Sequence, residues 1–114
     1  MTNDVKISYR GREYTLAFNL NVMKRIQDEY GTVSKWGELT DGKDGKEPNL
    51  KAVIFGITEA INEGIDIANE EKGASDAPLS EKQVGRIITE IGLQAATEAL
   101  HDSVIESTES AEKN

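Results

Sequence analysis

The stretch from Val5 to Phe18, VKISYRGREYTLAF, decides the fold class. Val5, Ile7 and Tyr9 alternate with Lys6 and Ser8, and Tyr14, Leu16 and Phe18 alternate with Thr15 and Ala17. A period of two sends each apolar set to one face of an extended strand. Arg10-Gly11-Arg12-Glu13 separates the two runs, and glycine suits the first central position of a type II′ turn, which requires positive φ. With Gly11 and Arg12 as the loop, Tyr9 is expected opposite Tyr14, Ile7 opposite Leu16 and Val5 opposite Phe18. Both apolar stripes then share one side of the ribbon, and a one-residue slip would part them. A lone two-stranded ribbon is marginal in water, so the apolar face of a hairpin over 4–18 has to pack on another part of the chain.

The remainder of the chain reads as helical. Asn19 or Asn21 can cap a helix over about 20–30, with Val22, Met23, Ile26 and Tyr30 on one side and Gly31 as its stop. Ser34 can cap a single turn near Trp36, and TDGKDGKEP at 40–48 reads as a polar loop. A second main helix over 49–68, capped by Asn49, carries Leu50, Val53, Ile54, Ile57, Ile61, Ile65 and Ala68 as one stripe, with Glu59, Glu63 and Asp66 opposite. NEEKGASDAPL at 69–79 reads as a flexible polar linker. Ser80 with Gln83 forms a capping-box pattern opening a third helix over 80–105. Its first stripe is Val84, Ile87, Ile88, Ile91 and Ala95; from Leu93 onward the apolar side changes to Leu93, Leu100 and Val104. Residues 106–114, ESTESAEKN, are expected to be a disordered acidic tail. The expected architecture is one α+β domain over 1–105, a hairpin packed on about three helices.

Composition narrows the function. A chain of 114 residues suffices for one domain with a core of its own. The absence of cysteine excludes disulfides and thiolate metal sites. The opening residues lack the apolar core of a signal peptide, and no run is long enough to span a bilayer, so a cytoplasmic setting without membrane contact is expected. A net charge of -8 opposes approach to a phosphate backbone, and the basic pairs Arg10/Arg12 and Lys24/Arg25 are short, so no nucleic-acid partner is expected.

Residue patterns for chemistry are sparse. His101 is the sole histidine, with no second histidine or cysteine to complete a ligand set and no nucleophile elbow to serve. Asp41, Asp44 and Glu47 fail the EF-hand spacing, because Lys43 and Gly45 stand where oxygen ligands belong. Glu59 and Glu63 are one turn apart on a face read as solvated, not in a dry cleft. The glycines form neither a Walker loop nor a dinucleotide fingerprint, and Gly56, Gly64, Gly85 and Gly92 fall inside expected helices, where close approach of another element is one compensation. No catalytic residue, metal site or cofactor is assigned. Three features are candidate partner contacts: Phe55, which projects off its helix stripe; the run Leu93, Leu100 and Val104; and Trp36 with Leu39. Each has a second reading: Phe55 covered by the hairpin or first helix, the late stripe buried in its own domain, and Trp36 as a lid over the core.

The layout resembles the tail assembly chaperones of siphophages and prophages of Gram-positive hosts. The resemblance rests on Gly11, Arg12, Glu13 and Tyr14 at the turn, Phe18 ending the second strand, and Glu29, Tyr30 and Gly31 closing the first helix. The family's Glu-x-Tyr-Gly spacing is one residue longer. The likeness is close over residues 5–35 and architectural over 49–105. It implies a non-enzymatic protein that coats the long, apolar, helical tape measure protein in the host cytoplasm. Such proteins give way as tail tube protein arrives and carry no catalytic residues; in this chain the run Leu93, Leu100 and Val104 offers a surface for a homo-oligomer or for the client. A structural tail or connector subunit, or a bacterial docking or regulatory module, fits the same sequence features.

Overall fold

The computed structural model describes residues 4–42 and 47–112. An antiparallel hairpin, β1 (Val5–Tyr9) and β2 (Arg12–Leu16), is succeeded by five helices: α1 (Leu20–Tyr30), α2 (Val33–Asp41), α3 (Leu50–Lys72), α4 (Glu81–Ile91) and α5 (Leu93–Glu112). The fold is α+β. β2 and each of the other four helices pack on α3.

The hairpin forms over the expected residues with a different turn. Arg10 and Gly11 both have positive φ, 50° and 79°, as a type I′ turn requires, and that turn matches the right-handed twist of the strands it joins. The loop is Arg10-Gly11 instead of Gly11-Arg12, so Ile7 pairs with Tyr14 and Val5 with Leu16. This register differs from the expected one by two residues. A shift of two keeps every side chain on its face, and Ile7, Tyr14 and Leu16 are buried together. The Arg10 guanidinium stacks on Tyr9, 5.1 Å from the ring centroid.

Of the first three helices, α1 keeps its expected limits and the other two run past theirs. α1 is capped by the Asn19 side chain and stopped at Gly31, where φ is 91°. α2 is nine residues long, capped by Thr32 instead of Ser34, so Thr40 and Asp41 belong to a helix and not to the polar loop; Lys43, Asp44 and Gly45 of that loop lie outside the described residues. α3 starts at its Asn49 cap but continues to Lys72, and Gly73 in the left-handed region ends it. Glu70, Glu71 and Lys72 are good helix formers with no break before the glycine. Beyond Gly73 the connection is tied down. Asn69 and Asn62, two turns apart on α3, each donate to and accept from the backbone, at Asp76 (both 3.0 Å) and at Leu79 (2.9 and 2.8 Å).

The expected helix over 80–105 is two helices. The Ser80–Gln83 capping box opens α4 at the expected place. Gly92, at φ 98° and ψ 141°, ends α4, and its carbonyl accepts from Ala96 in the first turn of α5. Only glycine takes such a conformation readily. The change of apolar side at Leu93 is therefore a change of helix direction, not a second face on one rod. α5 then continues through Glu112, so the helix extends over most of the segment expected to be a disordered tail; no glycine or proline interrupts it.

Small residues let neighbours reach the α3 backbone. Trp36 lies over Gly56, where a Cβ would overlap its ring; its Nε1 donates to the Ala52 carbonyl at 3.0 Å, and it stacks on Phe18 with centroids 5.7 Å apart. On the same helix, Ala17 donates to the Ala60 carbonyl at 3.1 Å, and a Cβ at Gly64 would overlap the Thr15 carbonyl. β2 thus lies against α3 backbone to backbone.

Candidate interaction grooves

The residues singled out from sequence separate by depth. Trp36 is 1% exposed, Phe55 8% and Leu100 0%; all three are core side chains and not surface contacts. The reason for Phe55 is that α3 is enclosed. Its side away from the apolar stripe is covered by α1, where Tyr30 meets Phe55 edge-on with centroids 5.5 Å apart. Leu100 is enclosed because the break at Gly92 turns the Leu100 face of α5 inward. Leu39 and Val104 are half-buried against the same core. Leu93 lines a surface groove, a cleft of about 290 Å³ between α3 and α4, together with Leu50, Ile54, Gly85, Ile88 and Thr89.

A larger groove was not expected from the sequence. It measures about 510 Å³ and opens where the ends of the hairpin meet α1, the far half of α3 and α5. Val5 and Phe18 form one wall, Leu20 and Met23 another and Ile67 a third, while Ser103, Glu106 and Ser107 close it from α5. Leu20 is 79% exposed and Leu50, at the smaller groove, 56%. Each is the first residue of its helix, so no preceding turn covers it. A signal existed for two of its walls: Leu20 falls outside the Val22–Ile26–Tyr30 side of α1, and Ile67 falls outside the α3 stripe.

Charge around these surfaces is largely compensated. Arg10 meets Glu90 at 3.5 Å, Arg12 meets Asp76 at 3.6 Å, Lys24 meets Asp28 at 3.6 Å and Arg25 meets Glu59 at 3.3 Å. All four cations of the two basic pairs thus lie against carboxylates. Glu59 and Glu63 do not face open solvent as expected. They face α1, where Glu63 accepts from Asn19 at 2.7 Å and from Asn21 at 3.0 Å. His101 is half-buried and shares a 3.1 Å hydrogen bond with Thr40, linking α5 to α2. Among the described residues no group of His, Cys, Asp or Glu is arranged to hold a metal ion, and no helix is long and apolar enough to cross a membrane.

No known protein family, curated protein or solved structure matches the chain. The functional reading therefore rests on the residues themselves. Among the described residues, one ionisable group is displaced from its ordinary value: burial first, then the nearby carboxylates of Glu29 and Glu81, raise the Tyr30 hydroxyl. That oxygen and the Thr58 hydroxyl are buried without a hydrogen-bond partner. Neither residue lines either groove. Chemically, the grooves offer apolar contact area for side chains of another molecule.

Proposed function

We propose that this protein is a non-enzymatic tail assembly chaperone of a long-tailed phage or prophage, holding the apolar, helical tape measure protein soluble in the host cytoplasm until tail tube protein replaces it. The observation that carries the reading is the groove of about 510 Å³ walled by Val5, Phe18, Leu20, Met23 and Ile67, with Leu20 largely exposed at its lip. Its volume lies in the range that encloses small ligands or a few side chains. A holdase needs apolar surface that its own core leaves uncommitted, together with enough charge to keep the complex in solution. The net charge of -8 supplies the second. The hairpin-to-helix residues that carry the family resemblance serve as turn, cap and wall: Gly11 sits in the turn, Gly31 stops α1, and Phe18 borders the groove. Affinity per copy is modest in this scheme, and many copies along one client supply avidity.

The test is co-expression with a phage tape measure protein, with fractionation and co-purification as the readouts. The protein is expected to keep that client soluble and to co-purify in several copies. Leu20→Asp is expected to lose the client while retaining the far-UV spectrum, because Leu20 is not part of the core. A client that aggregates equally with and without this protein refutes the proposal. A protein found at fixed copy number in purified particles is a structural subunit instead.

A further inference from the structure

The two edges of the hairpin differ. A loop of Arg10 and Gly11 makes Tyr9 and Arg12 the first hydrogen-bonded pair of the ladder. Hydrogen-bonded and non-hydrogen-bonded pairs alternate along antiparallel strands. Tyr9, Ile7 and Val5 therefore bond across to Arg12, Tyr14 and Leu16, and the N–H and C=O groups of Lys6 and Ser8 point away from β2. The same alternation turns Thr15, and Ala17 just beyond β2, outward on the other side. There α3 takes the edge: the Thr15 carbonyl lies against Gly64, and Ala17 donates to the Ala60 carbonyl at 3.1 Å. The β1 edge stays open. α5 packs on β1, yet among the described residues no group hydrogen-bonds the outward backbone of Lys6 or Ser8, and both residues are exposed.

An open edge is a template for another extended strand. We propose that β1 pairs with β1 of a second copy, antiparallel about a two-fold axis at Ile7, so that the two-stranded sheets of two molecules join into one. The side chains favour this partner and this register. Centred on Ile7, the outward groups of Lys6 meet those of Ser8 in the other molecule. Val5 then stands opposite Tyr9, each half-buried in the single copy, and Ile7 opposite Ile7. The neighbouring registers are worse. Centring on Lys6 sets lysine against lysine, and centring on Ser8 sets Lys6 against Arg10; like charges directly opposite are destabilising. Lys6 deters indiscriminate pairing at an open edge, but in the Ile7 register it faces a serine and keeps its contact with Glu13 of its own hairpin at 3.9 Å. The proposal does not depend on the client reading of the larger groove.

The test is sedimentation equilibrium of the whole chain, with amide hydrogen exchange to locate the contact. One short edge is less than a standard interface, so a dimer with a Kd of roughly 10–100 μM is expected. The Lys6 and Ser8 amides should exchange several-fold more slowly at about 1 mM protein than at about 10 μM. Ser8→Pro removes an outward N–H and no hairpin hydrogen bond, and should weaken the dimer roughly tenfold or more. Ser8→Lys, which sets a cation against Lys6 of the other copy, should weaken it roughly threefold, and Ser8→Glu should tighten it by a similar factor. Both effects run against the net charge of -8, which alone would favour association of the lysine variant. Should Ser8→Pro fail to fold, the lysine and glutamate variants decide. The reverse order of those two, or a chain that stays monomeric to about 1 mM, overturns the proposal. A dimer that survives Ser8→Pro and is lost with Leu20→Asp assigns self-association to the groove and also overturns it. Slowed exchange at Lys6 and Ser8 that requires added tape measure protein gives the edge to the client instead of a second copy.

Discussion

Four glycines lie inside helices, and the structure divides them into two pairs with opposite responses to alanine. Gly37 in α2 has nothing within 4 Å of an added Cβ, and at Gly85 in α4 the nearest atom is the Ile54 Cδ1 at 4.0 Å. There the substitution removes only the conformational cost of glycine, so Gly37→Ala and Gly85→Ala should each stabilise the fold by about 0.5–1 kcal/mol. At Gly56 the Cβ falls within contact distance of Trp36, whose Cε2 and Nε1 would lie at 3.1 and 3.3 Å. Trp36 has nowhere to go: it is 1% exposed, donates to Ala52 at 3.0 Å and stacks on Phe18. Overpacking costs about 1–3 kcal/mol, and a strained or lost hydrogen bond about 0.5–1.5 kcal/mol. Set against the helix gain of up to about 1 kcal/mol, Gly56→Ala should destabilise by about 1–3 kcal/mol. Gly64→Ala should be at least as costly, because the atom it meets is the Thr15 carbonyl and a backbone atom cannot rotate aside. Thermal melts monitored by far-UV circular dichroism would read these differences as shifts of roughly 3–6 °C per kcal/mol for a domain of this size. If Gly56→Ala melts as high as Gly37→Ala, Trp36 does not lie over α3 and the packing described for it is wrong.

Burial sets two further outcomes. Leu100→Ala should cost about 2–5 kcal/mol as a core deletion, and Leu100→Asp should unfold the protein. Leu93→Asp, at a groove lip, should leave a cooperative melt; equal melts for the two aspartate variants would contradict the depth assigned to α5. Tyr30, whose hydroxyl is raised above its ordinary value of 10.0, holds its proton in the folded chain at pH values where the unfolded chain releases it. Its contribution is complete below the unfolded value and is lost as pH rises through the folded one. Tyr30→Phe removes an unpartnered buried hydroxyl, so the variant should match or exceed the parent near neutrality and exceed it increasingly above roughly pH 10. Parallel melts of the two proteins across alkaline pH would show this group to be unperturbed.

Legibility differed by element and for physical reasons. The cap positions Asn19, Asn49 and Ser80 were readable because a cap is a local interaction between one side chain and nearby backbone donors. The hairpin faces were readable because period two survives an even shift of register; the turn type was not, because both Arg10-Gly11 and Gly11-Arg12 put the glycine where positive φ is allowed. At Lys72 and Asp41 the polar composition suggests a loop, although the residues Glu70, Glu71 and Lys72 themselves favour helix. At Gly92 the sequence does carry the signal, a glycine beside a switch of apolar side, but one continuous two-sided helix fits the same pattern.

The sequence alone determined the hairpin's apolar face and the starts of α1, α3 and α4, since these depend on neighbours along the chain. Tertiary structure decided which apolar residues remain at the surface. Phe55 looks outward on an isolated helix and is core because α1 closes over it. Leu20 is also strongly apolar and is exposed because no helical turn precedes it to cover the start of α1. Burial is a property of the elements that pack on both sides of a helix, and a periodicity measured along one chain segment contains no information about the second side.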